Sequence, residues 1–249
     1  MTESERDEAI RAELLAGNIP DFVRNLVPVA LEARLENGRD ARVTVCVLSD
    51  YLAIGSDQDF ILAPMRLRTA LAVAGPYGFS LPTAKLVDAI YAQAAIRLSP
   101  QPLPASDQMR SIAYYIRHDE LIETQRAARG ATPGLLTSGH MKDLVLTGRL
   151  WRFRDRVAIY GWHRADHDPI QPLSTVHGAN YADYSHGVRL VSGTILVDGA
   201  PMSIVDALED PSLSRVLNGE GPIPHLHELL DILAEPRVST ASLAVPPLR

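Results

Sequence analysis

The sequence predicts an α+β fold, with a helix-rich N-terminal half followed by a mainly antiparallel β-rich half. Three observations carry this prediction. Stretches with helical spacing of apolar residues dominate residues 1–130, and short β-like segments separated by polar turns occupy most of residues 143–205. Helices in a run followed by strands in a run, without regular alternation, argue against a doubly wound sheet. With 249 residues, 46% of them hydrophobic, the chain can bury one sizeable core. A single globular domain over 1–249 is expected. It can be divided into a helical/β part, 1–104, a β-rich, site-bearing part, 105–235, and a peripheral tail, 236–249.

Residues 4–16 read as an acidic amphipathic surface helix, with Ser4 and Asp7 placed as a capping box. Residues 21–34 read as a second helix bent by Pro28, and 36–40 as a polar turn. Residues 42–48 are rich in β-branched side chains and form the clearest early strand, which 51–54 continue before the loop Gly55-Ser56-Asp57-Gln58-Asp59. Residues 64–73 are helical until Gly75-Pro76-Tyr77-Gly78. Thr83 caps a core helix whose stripe is Leu86, Val87, Ile90, Tyr91 and Ala94. Prolines 100, 102 and 104 force an extended segment, and 109–128 form a long helix with Ile112, Tyr115, Ile116 and Ile122 on one side. The β-like segments are 143–150, 156–162, 170–176 and 188–197, and Asp198-Gly199 marks a hairpin. Helices over 206–217 and 225–233 close the chain.

A formal charge of −6 gives no electrostatic footprint for nucleic acid. No apolar run approaches the roughly 18 residues of a membrane span. Residues 1–5 lack a basic region and an apolar core, so a soluble protein without signal peptide is expected, cytoplasmic or secreted after trimming. Cys46 is the one cysteine, which excludes an internal disulfide and a Cys-rich zinc site, and its apolar β run marks it as a small core residue. No intrinsic metal and no cofactor are expected, since no HExxH and no Gly-rich phosphate loop is present.

The chemistry concentrates in His177-Gly178-Ala179-Asn180-Tyr181-Ala182-Asp183-Tyr184-Ser185-His186-Gly187-Val188-Arg189. Histidine titrates near neutral pH, so His177 and His186 at a strand end suit proton transfer. His163 and His167 precede them, with solvated turn residues as the plainer reading. Gly139-His140-Met141-Lys142-Asp143 opens the first strand of the β-rich half. On a strand His140 and Lys142 share one side and Asp143 takes the other. The expected catalytic residues are His140, Lys142, His177, Tyr184, Ser185 and His186. Asp143, Trp162, His163, Asp183 and Arg189 are expected to bind substrate, Arg189 through an anionic group or else by pairing with a neighbouring carboxylate.

His177-Gly178 followed by Ser185-His186-Gly187 and Arg189-Leu190 resembles the His-Gly … Ser-His-Gly-Cys-x-Arg signature of the L,D-transpeptidases of the YkuD type. The resemblance implies acyl transfer on peptidoglycan through a cysteine acyl-enzyme. Here Val188 stands in the place of that cysteine and one position is missing before Arg189, so the family's own mechanism does not carry over. The chain as a whole also resembles a group of uncharacterised bacterial proteins with the elements Tyr51-Leu52-Ala53-Ile54-Gly55-Ser56-Asp57, Gly139-His140-x-Lys142-Asp143 and Asp183-Tyr184-Ser185-His186-Gly187.

Three readings follow. The first is a hydrolase of an amide, ester or glycan-linked bond, on a cell-wall or polysaccharide substrate, with Ser185 as nucleophile and His177, His186, His140 or Lys142 as base. The second is a polysaccharide lyase using Tyr181 or Tyr184 with His186 and Arg189. The third is a non-catalytic sugar- or peptide-binding protein presenting Trp162 and Tyr184. The expected partner is a small-molecule, glycan or peptide substrate, with neither nucleic acid nor membrane.

Overall fold

The structure, a computed structural model, describes residues 1–235, so the expected tail lies outside the described residues. The fold is α+β and its sheets are mostly antiparallel. Helix α1 is Glu3–Leu15, and its capping box is Thr2 with Glu5, not Ser4 with Asp7. Asp7 is buried instead, where it accepts hydrogen bonds from the Arg66 amide at 3.2 Å and from the Thr69 hydroxyl. Arg6, Ile10 and Leu14 are buried with it, so the helix is half embedded.

The expected helix around Pro28 is a strand. β1, Leu26–Arg34, pairs antiparallel with β2, Asp40–Leu48, from Leu26↔Leu48 to Arg34↔Asp40. β2 buries Ala41, Val43, Val45 and Val47 on its core face, and β1 answers with Val29 and Leu31. Long-range pairing overrides the helical reading of the apolar spacing. Pro28 is tolerated because β1 is an edge strand. Two residues on, Ala30 turns its N–H and C=O outward to the Gln93 side chain, at 3.0 and 2.9 Å, so the imide nitrogen of Pro28 faces the same open side. Cys46 is half-buried, opposite Pro28.

β3, Ala53–Gly55, and β4, Phe60–Leu62, form a small hairpin. Then come α2, Leu67–Ala74, β5, Phe79–Ser80, and α3, Ala84–Gln93, whose Leu86 amide is capped by Thr83 at 3.2 Å. β6, Ile96–Arg97, precedes the extended proline segment and α4, Ile112–Ala128, which begins at its cap Ser111. α4 buries Tyr115, His118 and Ile122, while Ile112 and Ile116 face outward.

The β-rich half supplies β7, Thr137–Ser138, β8, Lys142–Leu144, β9, Ile159–His163, β10, Pro169–Ser174, β11, His186–Gly187, β12, Val191–Ser192, β13, Thr194–Val197, and β14, Ala200–Ser203. Asp198 and Gly199 take φ of 50° and 87° in the two-residue turn between β13 and β14, the hairpin that Asp-Gly predicts. The expected helix over 206–217 is divided into α5, Ile204–Glu209, and α6, Ser214–Leu217, because Asp210-Pro211 interrupts it; α7 is Leu226–Ala234.

The larger sheet runs β14-β13-β2-β12-β5, with β1 also on β2, and so combines strands from both halves of the chain. A second sheet, β10-β9-β8-β11, carries the histidine-rich segments, and β6 pairs in parallel with β7. One apolar core joins Val45, Leu81, Ile90, Leu144, Val188 and Leu229. No helix among the described residues is long and apolar enough to cross a membrane.

Candidate functional site

Parallel pairing of β11 with β8 sets His186 beside Lys142 and Gly187 beside Asp143, and the Lys142 amide donates to the Ser185 carbonyl at 2.8 Å. The two candidate segments are therefore neighbours, although 40-odd residues separate them in sequence. Gly187 makes the approach possible, because a Cβ there would lie 2.5 Å from Met141 Cβ and 2.7 Å from the Tyr51 ring. Successive residues on β8 face opposite ways, so Lys142 and Asp143 enter different environments.

On the Lys142 side, Asp183 is the hub. Its Oδ1 accepts from the Ser185 amide at 2.9 Å and the Ser185 hydroxyl at 2.6 Å, and its Oδ2 accepts from the Tyr181 hydroxyl at 3.1 Å. His186 Nε2 stands 4.0 Å from Oδ2, beyond hydrogen-bond reach. His177 stacks on Tyr181 with centroids 4.2 Å apart, and its ring centre is 6.0 Å from that of His186. The Lys142 ammonium lies 4.7 Å from the Trp162 ring centre. Trp162 has a φ of 59°, which costs a non-glycine residue roughly 1–2 kcal/mol, and its indole N–H donates to the His140 carbonyl at 3.0 Å.

Burial dominates the electrostatics here. It pushes His186 down to about 4 against the opposing pull of Asp183, and the Lys142 charge adds to the shift. Burial likewise lowers His177 and Lys142, each partly offset by Asp183. Asp183 is also desolvated, yet His186, Lys142 and the Ser185 hydrogen bonds hold it below the usual carboxylate range. At neutral pH the cluster is a carboxylate with neutral imidazoles beside it. His186 has no exposed surface, and neither ring nitrogen has a hydrogen-bond partner among the described residues. A buried polar group left unpaired costs about 1–3 kcal/mol, and such groups concentrate where function requires them.

The opposite side is a buried ion network. The Tyr51 hydroxyl donates to Asp143 Oδ2 at 2.8 Å, and the Arg189 guanidinium lies over the Tyr51 ring at 4.3 Å. Asp50 Oδ2 meets Arg126 at 2.7 Å, and His140 Nε2 lies 3.4 Å from Asp50 Oδ1 and 3.3 Å from Arg126. Burial would raise Asp50, but Arg126, His140 and Arg189 hold it far below its ordinary value. Burial wins at Asp143, which rises to about 6, and at His140, which falls to about 4.

These positions correct several expectations. Ser185 has no exposed surface and its hydroxyl bonds Asp183, with no imidazole as partner, so it orients the carboxylate and lacks the pairing a nucleophile needs. The Tyr184 hydroxyl accepts from the Leu103 amide at 2.8 Å and donates to its carbonyl, which occupies it structurally. Arg189 is fully buried, donates to the Leu48 carbonyl at 2.7 Å, and is closed to substrate. His163 leaves the cluster to bond Asp88 at 2.8 Å and stack on Tyr91. His140 belongs with Asp50 and Arg126, Asp143 is buried against Tyr51, and Trp162 meets the Lys142 ammonium.

The sequence reading passed over Asp50, Arg126 and His118. His118, on α4, is buried against Tyr184 at 5.0 Å with Nε2 unpartnered, and burial pushes it down to about 3. The Lys142 charge adds to the shift, and Asp183 opposes it. Its signal was a lone histidine on the inner face of a helix, a pattern that usually means packing. No group of three or more His, Cys, Asp or Glu among the described residues has metal-holding geometry. No protein-family model matches the chain, nor does any curated protein or solved structure.

Proposed function

We propose that the protein is a hydrolase of an amide, ester or glycan-linked bond, on a cell-wall or polysaccharide substrate, working through Lys142, His177, Asp183 and His186. The observation that carries this reading is Asp183, a buried carboxylate whose charge reaches the two half-buried groups His177 and Lys142, with the neutral His186 enclosed beside Lys142. His177, the half-exposed imidazole of the pair, takes a proton from the attacking water. Asp183 stabilises the imidazolium that forms, and the neutral His186 packs beside the pair. On an amide or ester, Lys142 attracts the oxyanion of the addition intermediate, and His177 returns its proton to the leaving group. Water replaces Ser185 as nucleophile in this scheme.

Elimination is less well supported. A lyase needs a tyrosinate and an arginine at the substrate carboxylate, whereas burial and Asp183 raise the Tyr181 hydroxyl and Arg189 is sealed in the core. The test is turnover of p-nitrophenyl esters, peptide p-nitroanilides and 4-methylumbelliferyl glycosides. Chromophore release by the native chain that falls about 10²–10⁴-fold in His177→Gln supports the reading. No release above background, or release unchanged in that variant, sinks it.

A further inference from the structure

A cavity of about 520 Å³ lies on the far side of Tyr181 and is lined by Arg68, Arg110, Arg154, Asp155 and the turn Gly178–Tyr181. That volume falls within the range of small-molecule sites. Three guanidinium groups face one carboxylate. Arg110 pairs with Glu3 at 2.9 Å and holds its guanidinium carbon 5.7 Å from the Tyr181 ring centre. Arg154 rests on Trp151 and donates to its carbonyl at 3.2 Å, and neither Arg154 nor Arg68 has a carboxylate within ion-pair distance among the described residues. Arg68 Nε is buried without a hydrogen-bond partner. Burying an unpaired guanidinium nitrogen is costly unless a ligand completes it.

The start of α2 borders the same space. Leu67 and Arg68, the first two residues of α2, line it, and the end of that helix is already met by Asp7, which accepts from the Arg66 amide at 3.2 Å and from the Thr69 hydroxyl. That carboxylate answers the positive end of the helix, so the attraction for an anion rests on the arginines.

We propose that this cavity binds a small molecule through a phosphate or comparable oxyanion, held by Arg68 and Arg154. Arginine suits such a group because its fork donates two parallel hydrogen bonds to adjacent oxygens. Asp155 and Glu3 set the limit of the positive field: Glu3 engages Arg110 and leaves Arg68 and Arg154 as the ligands. Tyr181 joins this cavity to the histidine cluster, since its ring faces Arg110 while its hydroxyl bonds Asp183. The binding stands independently of any hydrolytic activity.

Titration calorimetry of the native chain with inorganic phosphate, against sodium chloride at matched ionic strength, tests it. Saturable one-site binding of phosphate, with chloride inert, is expected. Arg68→Gln and Arg154→Gln should each weaken binding at least about tenfold, the loss expected for one charge-assisted contact. Arg154 is exposed, so its variant keeps the fold and remains informative if Arg68→Gln does not fold. Absence of saturable binding, or an affinity unchanged in the Arg154 variant, overturns the proposal.

Discussion

Asp143→Asn is expected to stabilise the protein at neutral pH. Asp143 is buried beside Tyr51 and its carboxyl is raised from 3.8 to about 6, so the folded chain holds this proton more tightly than the unfolded chain does. A group whose folded pKa is the higher one destabilises the fold as pH rises from about 4 to about 6, and the cost is complete above that window. The difference between 3.8 and about 6, at roughly 1.4 kcal/mol for each tenfold change in proton affinity, gives about 3 kcal/mol. Asparagine keeps the shape and an acceptor for the Tyr51 hydroxyl but carries no charge to desolvate. Urea unfolding of both proteins at intervals from pH 4 to pH 8 reads the effect. The variant should gain up to about 3 kcal/mol at pH 7.5, and the two curves should converge near pH 4. Arg189, the opposing charge over Tyr51, is already included in that balance. A variant less stable than the native chain at pH 7.5, or a difference that does not change with pH, would refute the reasoning.

Arg126→Met removes the partner of buried Asp50 and should cost about 3–5 kcal/mol in chemical unfolding, with Asp50→Asn in the same background recovering part of the loss. Lys142→Met removes a cation that holds His177 down, so the His177 imidazole should titrate at higher pH, read from its ring-proton chemical shifts; an unchanged titration would break the Lys142–His177 coupling. Gly187→Ala places a Cβ against Met141 and Tyr51 and should cost about 1–3 kcal/mol in thermal unfolding.

Legibility in the sequence follows from where each group finds its partner. The order of helices and strands follows from local spacing, and the Asp198-Gly199 turn and the Thr83 cap are local chemistry. β1 was hidden because its apolar residues and Pro28 also fit a bent helix, and only the partner strand decides between the two. Lys142, His177, Asp183 and His186 stood out as polar groups at strand ends. Asp50, His118 and Arg126 did not, since α4 carries two of them and the turn after β2 the third, and each passes alone for an ordinary surface or packing residue. Arg189 shows the converse: its position after a histidine motif suggested a ligand role, while the carbonyls that actually hold it belong to Leu48 and Thr137, remote in sequence.

The interleaving of strands in both sheets also sets when the site can form during folding. β2 takes one neighbour from β1 nearby and its others from β12 and β13, near the end of the described chain, and β8 waits for β11. Until the chain as far as Val197 is available, β2 exposes an unpaired edge, and until β11 is available Lys142 has no His186 beside it. Contacts this distant in sequence carry a high loop-closure cost and form slowly. The histidine cluster therefore depends on a closure of its own, Lys142 to His186, shorter than the Val47 to Val191 closure that covers the central strand of the larger sheet and keeps it from pairing with another chain.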